Sequence, residues 1–108
     1  MEAAAKSDNA TPLTASRYDG LRKQIPFITT PSRLVCTSGI AERFGHGMGQ
    51  VLDRVKQYDT FTPDNDPWKE HDFGAFEFEG EKIFWKIDDY QGVDGLQLVL
   101  TVMLAEEW

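Results

Sequence analysis

Asp64, Asp66, Glu70, His71 and Asp72 place four carboxylates and one imidazole within a single short stretch. Carboxylates bind hard cations, and a histidine beside a carboxylate can move protons. Three chemistries are therefore open: a metal site, acid–base catalysis, or charge displayed to a partner. Read as a calcium loop from Asp64, the third position is Asp66, but Trp68 falls at the fifth. Lys69 stands where glycine is needed and Ala75 where glutamate is needed, so that motif fails. Zinc would have to draw on His46, His71 and one cysteine, which lack paired spacing. A carboxylate–histidine metal site assembled by the fold, serving a small metal-assisted hydrolase, is the enzymatic reading. Its ligands would be Asp64, Asp66, Glu70, His71 and Asp72. Against it, neighbours on a strand point to opposite faces, so Glu70, His71 and Asp72 form no dyad by adjacency. No serine, cysteine or lysine is placed as a nucleophile. The bland alternative is a polar turn whose Asp and Asn side chains bond their own backbone beside Pro63 and Pro67.

Flanking elements must position this stretch. Residues 1–12 are small and polar and read as a flexible tail; residues 13–108 read as one domain. Tyr18, Leu21, Arg22 and Ile25 form a helical stripe within Thr14 to Ile25, which Pro26 and Pro31 end. Arg33 to Thr37 reads as a short strand, with Ser38-Gly39 as a turn after it. Gly45-His46-Gly47-Met48-Gly49 lacks the Gly-Lys-Ser/Thr ending of a phosphate loop and reads as a bend into a helix. In that helix Met48, Val51, Leu52, Val55 and Tyr58 recur at three and four residues. Beyond the acidic stretch, Phe76–Phe78 and Ile83–Ile87 flank Gly80 as a hairpin. A polar turn is expected from Asp89 to Gly95, then a long strand from Leu96 to Leu104. The pattern predicts an α+β fold: two helices packed on a small, mostly antiparallel sheet ending in a three-strand meander.

Charge supplies the strongest functional signal. Residues 1–58 hold 8 Lys+Arg against 5 Asp+Glu, or +3; residues 59–108 hold 3 against 13, or −10. The net −7 disfavours direct binding to nucleic acid, whose phosphates require Lys and Arg. Glu77, Glu79, Glu81, Asp88, Asp89 and Asp94 surround the hairpin and the next turn. Carboxylates on a rigid sheet can imitate a nucleic-acid backbone and block a basic groove. The expected partner surface is Asp64, Asp66, Trp68, Glu70, Asp72, Glu77, Glu79, Glu81, Asp88, Asp89 and Asp94, with Trp68, Trp85 and Trp108 as anchors. A homodimer through an exposed edge strand is compatible with either reading. No cofactor is expected, and the balance leans away from an enzyme.

The lone Cys36 cannot form an intramolecular disulfide and reads as a buried structural thiol. The N-terminus lacks an apolar signal core, and the longest apolar run, Leu96 to Ala105, is about half a membrane span. A cytoplasmic protein is expected.

Four segments together resemble a known grouping: Arg33–Ile40, Phe61–Phe76 with its Asp-Asn-Asp-Pro and Glu-His-Asp-Phe-Gly elements, Phe84–Asp88 and Val99–Trp108. They are similar to a family of short bacterial proteins of unassigned function, often plasmid-borne. The resemblance covers residues 33–108 and supplies no catalytic residues. It departs after Asp88, where family members carry a longer Asp- and Pro-rich loop. The resemblance implies a mobile-element context, and hence an inhibitor of a host-defence protein such as a CRISPR effector or restriction enzyme.

Overall fold

The computed structural model describes residues 13–93 and 95–108. The tail expected over residues 1–12, and Asp94, lie outside the described residues. Helix α1 spans Leu13–Lys23, strand β1 Arg33–Cys36, helix α2 Ser38–Phe44 and helix α3 Met48–Lys56. Strands β2 (Phe73–Phe78), β3 (Glu81–Gly92) and β4 (Gly95–Leu104) follow, and Ala105–Glu107 closes the chain as one tight helical turn.

The four strands form one sheet in the order β1-β4-β3-β2. Strands β2, β3 and β4 make the antiparallel meander expected from the sequence, and β1 joins β4 in parallel. Alternation sets the layers. Ile83, Trp85, Ile87, Leu98, Leu100, Val102 and Leu104 face the helices and are buried against Tyr18, Leu21, Ile40, Phe44, Val51 and Val55. Each such side chain contributes about 1.5–3 kcal/mol. Among the described residues no α-helix packs on the opposite face. Val99 and Met103 are nonetheless buried there, and Phe73, Phe84 and Trp108 meet edge to face at 5.1 to 5.8 Å between ring centres.

Three local expectations are corrected. Ser38-Gly39 opens α2 instead of forming a turn. Thr37 caps that helix, and the Glu107 carboxylate accepts from the Gly39 amide (3.0 Å), the Thr37 hydroxyl (2.5 Å) and the Leu104 amide (2.8 Å). These bonds, the Thr37 hydroxyl foremost, hold the Glu107 carboxyl below its ordinary pKa. An added Cβ on Gly39 would meet the Glu107 carboxylate, its Cδ at 2.6 Å, so only glycine admits this contact. Second, the hairpin begins three residues earlier than expected, at Phe73, and turns through Glu79 (φ +51) and Gly80 (φ +83). Two left-handed residues in a two-residue loop match the right-handed twist of the strands. Third, Asp89 to Gly95 is mostly strand: β3 and β4 stay paired to Gly92↔Gly95. Their paired ribbon outruns both neighbours, since β2 ends opposite Lys86 and β1 opposite Val99.

Candidate functional site

The loop before β2 folds around Asp66. Its carboxylate, 7% exposed, accepts from the backbone amides of Glu70 (3.1 Å) and His71 (3.3 Å). Asn65 and Thr62 bond each other's backbone. This is the self-bonding polar turn that Asp and Asn favour. Lys69 (φ +56) and His71 (φ +58) sit in the left-handed region, a strained placement that the Asp66 carboxylate stabilises.

His71 is held at Nδ1 and on one face of its ring. Its Nδ1 lies 2.9 Å from Asp19 Oδ1 on α1, and its Nε2 lies 3.6 Å from Asp66 Oδ2. Because a carboxylate only accepts, Nδ1 is the donor. The Phe61 ring stacks on the imidazole at 3.8 Å and 4°. Asp19 also pairs with Arg22, which is 3% exposed and donates to the carbonyls of Val55 (3.2 Å) and Tyr58 (2.8 Å) at the end of α3. The Arg22 guanidinium rests on the rings of Trp85 (4.9 Å) and Phe61 (5.3 Å). Sequence reasoning missed Asp19 and Arg22 as site residues. An open groove runs past Asp19, Arg22, Lys56, Phe61 and His71; the imidazole is bonded there through Nδ1, while the Asp66 carboxylate stays 3.6 Å from Nε2, beyond hydrogen-bond distance. Among the described residues no group of three or more His, Cys, Asp or Glu is disposed to hold a metal ion.

The expected partner residues divide by position. Glu70, Asp72, Asp88 and Asp89 line one open groove with Thr14, Tyr18 and Tyr90. Asp89 accepts from the Tyr18 hydroxyl at 3.3 Å, and Asp88 pairs with Lys86 at 3.0 Å. Glu77, Glu79 and Glu81 sit at the other end of the hairpin, about five residues or 17 Å along the strands, where Glu81 pairs with Arg43. Asp64 and Trp68 are exposed, Trp68 at 81%. Asp66 is instead turned inward as a structural acceptor. Trp85 is also corrected: it is fully buried core, whereas Tyr90 (55%) and Val93 (103%) are exposed on the ribbon. Cys36 is half-buried, and burial pushes its thiol pKa up.

Crowding of like charge marks the acidic groove. Burial pushes the Asp72 carboxyl pKa up, with Asp66 and Asp88 adding to it. Burial first, then Asp89, pushes the Tyr18 phenol up from 10 to about 12. A neutral Tyr18 thus favours the folded chain. That stability is complete below pH 10 and is lost as pH rises through the folded value. Alkaline titration followed by tyrosinate absorbance should show a step near pH 12, and Tyr18→Phe should abolish that step.

A family model described as "Protein of unknown function (DUF3768)" matches residues 36–98, more than half of the chain. The chain belongs to this family. The DUF3768 match includes Phe61, Asp66, His71 and the acidic groove's Glu70, Asp72, Asp88 and Asp89, while Asp19 and Arg22 precede it. No curated protein and no solved structure matches the chain. No described helix of this DUF3768 member is long and apolar enough to cross a membrane.

Proposed function

We propose that this DUF3768 member is a non-enzymatic acidic inhibitor, cytoplasmic and encoded on a mobile element. It blocks the basic groove of a nucleic-acid-binding defence protein, such as a CRISPR effector or a restriction enzyme. One observation carries the reading: Glu70, Asp72, Asp88 and Asp89 line one open groove, and of these only Asp88 has a cationic partner among the described residues. Such crowding costs free energy in the isolated chain and is relieved when a partner supplies Lys or Arg. The excess of −10 over residues 59–108 extends the same field. Catalysis through His71 would rest on Nε2 alone, since Nδ1 is held by Asp19 and Nε2 lies 3.6 Å from the Asp66 carboxylate.

Cells carrying an active CRISPR effector or restriction enzyme provide the test. Expressing the chain should abolish interference with an incoming plasmid. The triple change Asp72→Asn, Asp88→Asn and Asp89→Asn should restore interference while leaving the fold intact by circular dichroism. Unchanged interference with the unaltered chain, together with no co-elution with the purified defence proteins, would sink the proposal.

A further inference from the structure

Strand β3 has an open edge exactly where its backbone is least covered, and that edge has a chemistry of its own. Its outer side is paired to β2 only as far as Lys86, and the Ile87 amide then donates to the Asp72 carbonyl at 2.8 Å. One residue earlier the chain leaves this line, because His71 at φ +58 cannot continue an extended strand. From Asp88 to Gly92 the inner side of β3 stays bonded to β4, but among the described residues nothing bonds its outer side. This leaves about 16 Å of strand edge at 3.3 Å per residue. Natural proteins usually cover or blunt such an edge.

The edge borders a concavity of about 400 Å³ whose rim includes Glu70, Asp72, Asp88, Asp89 and Tyr90. We propose that the Asp88–Gly92 edge receives an extended, Lys- or Arg-rich peptide segment of a partner protein as an added strand. Main-chain hydrogen bonds to the edge give the pairing, and alternate side chains reach neighbouring groups. Charge complementarity selects the occupant: a basic segment sets its cations against the four carboxylates, whereas a second copy of this chain, at net −7, brings like charge to the same edge. The inference rests on the acidic-inhibitor reading and names how its partner is held.

The probe is a short fluorescent peptide of alternating lysine and valine, used with the full chain at low salt. Binding measured by anisotropy should slow hydrogen exchange at the amides of Asp89 and Gln91, which share the outward direction of the Ile87 amide. Asp88→Asn with Asp89→Asn should weaken it about tenfold, whereas Glu77→Gln with Glu79→Gln should leave it unchanged. A peptide of the same charge, N-methylated at alternate positions, should bind about tenfold more weakly because it cannot complete the ladder. Equal binding of the methylated peptide, equal weakening by the Glu77 and Glu79 changes, or self-association of the chain through this edge would overturn the proposal. Failure here with inhibition intact in cells discards the edge and keeps the inhibitor. Peptide capture without inhibition does the reverse.

Discussion

Replacing Arg22 by alanine should destabilise the fold by about 3–5 kcal/mol, the cost of removing one partner from a buried charged network. The change strips donors from the Val55 and Tyr58 carbonyls and leaves Asp19 facing His71 without its cation. It also empties the space between the Phe61 and Trp85 rings. At about 4–8 °C per kcal/mol for a domain of this size, the melting temperature should fall by at least 12 °C. Arg22→Lys should recover only part of the loss, because an ammonium cannot reproduce the planar fork that reaches two carbonyls and a carboxylate together. Thermal and urea unfolding monitored by circular dichroism check both variants. A loss below 1 kcal/mol for Arg22→Ala would show that the network contributes little.

Gly74→Ala should cost about 3 kcal/mol although it adds one methyl group, the upper part of the range for overpacking. Gly74 lies opposite Trp85 across the β2–β3 ladder, and an added Cβ would fall 2.6 Å from the indole Cε2. The indole is fully buried under the Arg22 guanidinium and cannot swing aside. Among the described residues the buried Trp85 Nε1 has no hydrogen-bond partner, so the ring is held there by packing and by the guanidinium over it. Near-ultraviolet circular dichroism should report the displaced tryptophan. Ala75→Gly, one residue away on the open face, should shift stability by about 1 kcal/mol. Equal losses at the two positions would refute the steric account.

Elements built from local patterns were legible in the sequence. Helix α3 follows from Val51, Leu52 and Val55, and the β2–β3 hairpin from the alternation of Ile83, Trp85 and Ile87 around Gly80. Helix α2 was not legible because its seven residues include Gly39, and its start is bonded by Glu107, 68 residues away. Parallel pairing of β1 with β4 is equally non-local. In the site, Asp66 and Asn65 behaved as turn chemistry suggests, but the residue that bonds the His71 ring, Asp19, lies on α1, 52 residues earlier. One sequence signal did exist: Arg22 falls on the apolar stripe of Tyr18, Leu21 and Ile25, and an arginine on a buried face requires acceptors. The acidic groove was foreseen as composition. Its division into two ends of a hairpin required the register.

Parallel pairing of Arg33 with Val99 also sets the order of events during synthesis. The two residues are 66 positions apart, a delay of roughly 3–13 s at ordinary translation rates. Until β4 emerges, β1 has no strand beside it, and the apolar sides of α1, α2 and α3 lack Leu98, Leu100, Val102 and Leu104 of the strand that joins β1 to the hairpin. A nascent chain of this kind remains open for seconds, exposed to chaperones and proteases, and then closes in a late step governed by non-local contacts.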